Sequence, residues 1–301
     1  FAEMFANAKK ELAERAENDG TVTGLRTTLG KLDAIISGLN KSELILLAAR
    51  AATGKTALGV MFALQAALDK PQSTVLYYTL EMSAEQIALR MLSSYAWIDS
   101  RHVRVGKLTE EERKKLDYAG AQLSETGLRI NDAPNVTVAD IAVECRKYKD
   151  LSLVVIDYLQ LMDGGKHGTR AEAVSDISRR LKQLARSLNI PIVCLCQLNR
   201  ENAKRENKKP LLTDLRESGS LEQDADIVLG LYRESAINPQ AENQTGAELL
   251  VLKNRHGATG SVPLTWLPEY TYYAETETRS SAVDADGGDE NYYKYGRRGR
   301  K

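Results

Sequence analysis

The sequence is poor in the residues that usually mark specialised chemistry. Its 301 residues include three cysteines, three histidines, two tryptophans and three phenylalanines. Cys145 lies in a helical pattern, and Cys194 and Cys196 alternate along an apolar strand, so all three read as free thiols in a core and exclude a disulfide framework. His102, His167 and His256 are scattered, and no Cys/His cluster has ligand spacing, which argues against a zinc-type site. Neither sign of charge is in excess, with Lys plus Arg and Asp plus Glu at 41 each, so a nucleic-acid partner would have to meet a local patch. No apolar run is long enough to span a bilayer, and the amino end is charged throughout, unlike a signal peptide. A cytoplasmic location is the expectation. Phe1 in place of Met suggests numbering that starts inside a longer protein.

What is present organises itself around Leu44 to Val60, LILLAARAATGKTALGV. Leu44 to Ala48 are apolar almost throughout, as in a parallel strand buried on both faces. A helix is expected from about Lys55, with Ala57, Val60, Met61, Leu64 and Leu68 at helical spacing on the face that packs on the sheet. Between them, Ala49, Arg50, Ala51, Ala52, Thr53, Gly54, Lys55 and Thr56 fit the Walker A spacing, with Ala49 where the pattern usually has glycine. Such a loop is an anion site. Its backbone N–H groups converge on phosphate, Gly54 allows close approach, Lys55 reaches the β and γ phosphates of ATP, and Thr56 can ligate Mg²⁺.

Before this loop, Phe1, Met4, Phe5, Ala8 and Leu12 line one helical face that ends at Asn18-Asp19-Gly20. The 1–19 segment is expected to be a linker helix, docking on a neighbouring subunit or on its own domain. A short helical piece around Leu32, Ile35, Ile36 and Leu39 follows. After the loop, Thr74 to Glu81 is expected as a second strand that ends in a carboxylate. Capping boxes at Ser83/Gln86 and Thr109/Glu112 open two helices. A strand near Leu128–Asn131, a helix from Val138 to Lys149, the apolar strand LSLVVIDYLQLM, a helix over 171–188 and the strand IPIVCLCQL complete an alternating pattern. That alternation predicts an α/β fold with a mostly parallel sheet flanked by helices.

Asp157 is the sole acid in its apolar strand, and burying it there is costly unless a phosphate-bound Mg²⁺ partners it. It is the Walker B candidate. Tyr158 follows where many ATPases of this type carry a catalytic Glu, so Glu81, on the same carboxyl edge, is the candidate for the water-orienting carboxylate. Gln197 ends a further strand at that edge, where its amide could sense a γ-phosphate.

From Asn199 to Thr213 the chain has no apolar periodicity and carries Arg200, Lys204, Arg205, Lys208 and Lys209. Such a loop suits sequence-independent contact with a nucleic-acid backbone, since it lacks aromatics to stack bases. Strands at IVLGLYRE, Ala247–Lys253 and Val262–Trp266 then follow in close succession and predict an antiparallel carboxy-terminal extension. Lys253 and Arg255 are placed at the tip of the last hairpin, where exposed charge or a finger into a neighbour's site would sit. Residues 276–301 are expected to be a flexible polar tail.

The stretches AARAATGKTA, TLEMSAEQIALRML, VVIDYLQLM, ISRRLKQLARSLNIPIVCLCQL, DLRESGSLEQDADIVLGLYR and LKNRHGATGSV, in that order, resemble the C-terminal motor domain of DnaB-type replicative helicases. The likeness runs over residues 20–275, and Ala49 is at home in it. It implies a RecA-like P-loop NTPase fold and a homo-hexamer around single-stranded DNA, with ATP between subunits and 5′-to-3′ movement that unwinds duplex. By matching positions, Lys55 and Thr56 hold phosphate and Mg²⁺, Glu81 activates water, Asp157 supports Mg²⁺, and Gln197 couples the γ-phosphate to the DNA loops. Lys253 and Arg255 act in trans, Arg255 as the arginine finger. Arg216, Glu217 and Gly219 match positions that face the DNA backbone, with the 199–213 loop beside them. Primase and a helicase loader are implied partners, through regions this stretch does not contain. Two other readings of the residues stay open, an ATP-gated filament protein of recombination type and a small-molecule phosphotransferase.

Overall fold

The computed structural model describes Phe5, Lys9 and residues 22–163, 169–199, 205, 208–215 and 219–276. The linker-helix expectation therefore falls mostly outside the described residues, apart from helical Phe5 and Lys9, and the tail expectation falls almost wholly outside. The first half of the chain runs α1 (Gly30–Ile36), β1 (Leu44–Ala49), α2 (Lys55–Asp69), β2 (Thr74–Thr79), α3 (Ala84–Ala96), α4 (Ser100–Val105), α5 (Glu110–Ser124) and β3 (Gly127–Asn131). Next come α6 (Val138–Cys145), β4 (Leu151–Asp157), α7 (Arg170–Leu188), β5 (Ile192–Gln197), α8 (Gly219–Asp224), β6 (Ile227–Arg233), β7 (Gly246–Asn254), β8 (Gly260–Leu267) and β9 (Tyr272–Glu275).

One nine-stranded sheet, in the order β3-β2-β4-β5-β1-β6-β7-β8-β9, carries the fold. The strands from β3 to β6 in that order are parallel, and β7, β8 and β9 add antiparallel at one side. The continuous apolar run of β1 has a direct cause in this layering. Ile45, Leu47 and Ala49 face one core with the α2 residues Leu58, Met61 and Phe62, while Leu44, Leu46 and Ala48 face a second with the α7 residues Ile177, Leu181 and Ala185. Period-2 alternation cannot appear where both faces are apolar. The α7 stripe is core as its spacing demands, and its exposed Arg179 and Arg180 pair with Asp176.

The helix starts follow their side chains. Both expected capping boxes form, and Thr137/Asp140 and Thr169/Glu172 form two more, each satisfying N–H groups that a helix start leaves without partners. Some boundaries differ from expectation. β2 ends at Thr79, so Glu81 lies two residues past the strand. α6 stops at Cys145 because its last turn tightens, with Lys147 N–H donating to the Glu144 carbonyl and Tyr148 N–H to that of Cys145, before the chain enters β4. α4 and β9 carry no expectation at all, being six and four residues long. Among the described residues no helix is long and apolar enough to cross a membrane.

Candidate nucleotide and nucleic-acid site

Strand order decides what meets at the carboxyl edge. β2, β4, β5 and β1 are consecutive neighbours, each about 4.8 Å from the next. Glu81, Asp157, Gln197 and the loop after Ala49 consequently stand side by side, though they are far apart in sequence. Gly54 takes φ +101° and caps α2, turning the chain so that Lys55 opens the helix. The helix N-terminus and its free N–H groups face the edge, as an anion site needs.

Lys55 Nζ lies 3.7 Å from Asp157 Oδ1 and 4.0 Å above the centre of the Tyr158 ring. Asp157 is 2% exposed. Its Oδ2 accepts a 3.2 Å hydrogen bond from Tyr77 Oη, while its Oδ1 is buried without a hydrogen-bond donor. Burial, and after it the Asp157 charge, pushes the Tyr77 phenol well above its ordinary range, so Tyr77 stays a donor. Tyr158 is also raised, first by burial and then by the nearby Glu81 charge. An underused buried carboxylate oxygen is unfavourable alone, but it suits a hard cation. Among the described residues no group of three or more His, Cys, Asp and Glu could hold a metal by itself. A cation here would share Asp157 and Thr56 oxygens with phosphate and water, which is the habit of Mg²⁺.

Gln197 ends β5 in register with Ala49 of β1. Its backbone is clasped by Gln160, which accepts from Gln197 N–H at 3.2 Å and donates to the Gln197 carbonyl at 3.1 Å. The loop itself rests on the end of the parallel strand β6 and on the antiparallel extension. Arg233 Nη2 donates to the Ala52 carbonyl at 2.7 Å, and Tyr273 Oη donates to the Thr53 carbonyl.

The hairpin residues lie elsewhere. Arg255 N–H donates to the Asp226 carbonyl at 2.9 Å, and Asp226 in turn exchanges bonds with Leu44, the first residue of β1. Arg255 is thus at the amino edge of the sheet, separated from its own phosphate loop by the length of β1, about 20 Å for six residues. Its guanidinium donates to the Gln223 carbonyl and lies 3.5 Å from Asp226 Oδ1. Lys253 is not at the tip, as the sequence reading had it, but within β7 and half-buried. Its ammonium donates to the carbonyls of Glu222 and Ala225, and burial followed by the Arg255 charge lowers its pKa. Both cations therefore hold the end of α8.

Of the basic loop, Arg200 and Lys204 lie outside the described residues, as do Arg216 and Glu217. Arg205 pairs with Asp214 at 2.6 Å and Lys209 pairs with Glu248, so these two also shape the loop. Lys208 is half-buried beside them, and Gly219 opens α8.

The profile of the DnaB-like helicase C terminal domain matches residues 24–275. The chain belongs to this family. Replicative DNA helicase DnaB of Geobacillus stearothermophilus is 41% identical over 287 residues, covering 91% of this chain and 63% of that protein. Replicative DNA helicase DnaC of Bacillus subtilis (strain 168) is 39% identical with the same coverage, 91% and 63%. The chain thus spans less than two thirds of the length of these relatives. Among solved structures, one determined as an ATPase domain aligns with a TM-score of 0.85 at 31% identity, covering 92% of this chain and 98% of that one. A DnaB-like replicative helicase, solved in work on its interactions with primase, aligns with a TM-score of 0.82 at 32% identity, covering 90% of this chain and 66% of that one. The α/β fold with antiparallel carboxy-terminal strands is the fold of the DnaB ATPase domain.

In this DnaB-type domain the sequence reading overlooked Tyr77, Gln160, Asp226, Arg233 and Tyr273. Tyr77 and Asp226 carried a usable signal, a polar group in or beside a buried strand, which must find a partner. Arg233 and Tyr273 gave none, because their partners are backbone carbonyls far away in sequence.

Proposed function

We propose that this domain is the ATP-driven motor of a replicative DNA helicase, working as a hexameric ring that moves 5′ to 3′ along single-stranded DNA and separates duplex. The observation that carries this reading is the placement of the phosphate loop and Arg255 at opposite edges of one sheet. A subunit built so cannot complete its own site, but head-to-tail neighbours can complete each other's, and a closing rotation makes a ring. Lys55 and the loop N–H groups bind the β and γ phosphates of ATP, and Thr56 and Asp157 would hold Mg²⁺. Bound Mg²⁺ would supply positive charge against the phosphate oxygens. Glu81 orients the attacking water, and Gln197 senses the γ-phosphate beside it. Arg255, with Lys253 behind it, enters the neighbour's site to stabilise charge on the transferred group. Since Lys253 and Arg255 grip α8, which follows the 216–218 segment, finger movement and DNA contact share one lever. Arg216, Glu217 and Gly219, with Arg200, Lys204, Arg205, Lys208 and Lys209, track the strand backbone. The 1–19 helix docks its apolar face on a neighbouring subunit, and primase and a loader engage regions outside this stretch.

ATP hydrolysis at high protein concentration, with and without single-stranded DNA, tests the proposal. Strong stimulation by the strand is expected, together with ring-sized particles. Hydrolysis indifferent to DNA in particles of ring size would contradict it and favour a small-molecule phosphotransferase.

A further inference from the structure

The loop that cradles phosphate is held from beneath by side chains of the carboxy-terminal extension. Tyr273, in β9, is fully buried, and its ring packs on Trp266 of β8 with centroids 4.6 Å apart. Register pairs those two residues directly, and Tyr273 N–H is turned to Met61 Sδ of α2 at 3.3 Å. Its hydroxyl donates to the Thr53 carbonyl and would lie 2.6 Å from any Cβ added at Gly54. Arg233, at the end of β6, stacks 5.0 Å above the Trp266 ring and donates to the Ala52 carbonyl at 2.7 Å.

Two successive peptide planes of the loop are thereby pinned by their oxygens. A planar trans peptide points its C=O and its N–H in opposite directions. Tyr273, holding the Thr53 carbonyl down, turns the Gly54 N–H to the opposite side, toward the phosphate position. Arg233, holding the Ala52 carbonyl, fixes the plane whose N–H closes the loop's turn onto the Arg50 carbonyl at 3.4 Å. An anion nest works only if its N–H groups are aimed before the ligand arrives, since aiming them afterwards costs binding energy.

We infer that Arg233 and Tyr273, whose hydrogen bonds go to carbonyls of the loop, are positioning residues that pre-set the phosphate loop, with Trp266 as the shared support. This rests on the reading that residues 50–56 bind nucleotide phosphate.

The experiment measures Kd for a fluorescent ATP analogue, KM and kcat for ATP, and the unfolding midpoint without nucleotide. The proteins are the parent, Tyr273→Phe, Arg233→Met, Arg233→Lys and Lys55→Ala. Tyr273→Phe keeps the ring and its packing and removes one hydrogen bond. It should weaken binding about 5- to 30-fold, the effect of one lost bond to a buried carbonyl, with KM raised and kcat changed much less. Arg233→Met should do the same, and Arg233→Lys should restore part of the affinity, since an ammonium can still reach a carbonyl. Tyr273→Phe with a lowered unfolding midpoint but parental Kd would overturn the inference, because its role would then be packing alone. Lys55→Ala binding as well as the parent would overturn the underlying phosphate reading instead, whatever Tyr273→Phe does.

Discussion

Asp157 and Glu43 show how single carboxyl groups are used at opposite ends of the sheet. At the carboxyl edge, Asp157 keeps Oδ1 unbonded and 3.7 Å from Lys55, an arrangement that leaves the oxygen free for a ligand. At the amino edge, Glu43 is buried beside Asp226 and 3.9 Å from His256. Its carboxyl is pushed up from 4.5 to about 7, first by burial and then by the Asp226 charge, against the pull of Asn40 and Lys182. The folded chain then holds a proton that the unfolded chain has already released between those values. The contribution of Glu43 to stability is full below about 4.5 and is lost as pH rises through about 7. Glu43→Gln should remove this slope and gain on the parent by on the order of 1–3 kcal/mol at pH 8 relative to pH 5. Urea unfolding of both proteins at the two pH values measures it, and parallel profiles would contradict it.

At the scale of elements, the strands and long helices were legible because their signals are local. β1, α2, β4 and α7 declare themselves by apolar runs and helical spacing, and Ser83 and Thr109 mark their helix starts. The phosphate loop was legible for the same reason, since all its residues are consecutive. What stayed hidden depends on pairing across the chain. β9 is too short for alternation to show, and the hydroxyl of Tyr273 meets a carbonyl 220 residues earlier. The tethers of Lys253 and Arg255 to α8 were equally invisible, because backbone carbonyls leave no mark in sequence. Lys182 is another such link. From the middle of α7 it reaches the Ser42 carbonyl at 2.9 Å and Asp226 at 2.5 Å, fastening the helix to the start of β1. Lys182→Met should strand Asp226, which is buried, with the more distant Arg255 and Lys253 as cations near it. A loss of about 2–3 kcal/mol in denaturant unfolding is expected, somewhat below a fully buried pair because Lys182 is partly exposed. A change within about 0.5 kcal/mol, the usual range for surface substitutions, would show that the pair is not structural.

At the scale of the whole molecule, one sheet presents the loop before α2 at its carboxyl edge and Arg255 at its amino edge. The parallel strands converge on a phosphate site, and the antiparallel extension does two jobs from the other side. Its β9 residue Tyr273, together with Arg233 of the parallel strand β6, holds the phosphate loop, and its β7–β8 turn carries Arg255 to the opposite edge. In the proposed ring, coupling between nucleotide and nucleic acid would run through Arg255 and Lys253 and their bonds to the end of α8.

The central claim is that Arg255 acts on a neighbour's nucleotide, and subunit mixing tests it most directly. Lys55→Ala subunits lack a working phosphate site but keep the finger, while Arg255→Ala subunits keep the phosphate site but lack the finger. Each alone should show almost no ATP hydrolysis, with nucleotide binding nearly intact in Arg255→Ala. Mixed and reassembled, they should recover hydrolysis at those interfaces where an intact finger meets an intact site, up to about a quarter of the parental rate for random mixing with independent sites. Mixtures as inactive as the separate variants, despite shown co-assembly, would contradict action in trans, as would an Arg255→Ala protein that hydrolyses ATP at the parental rate.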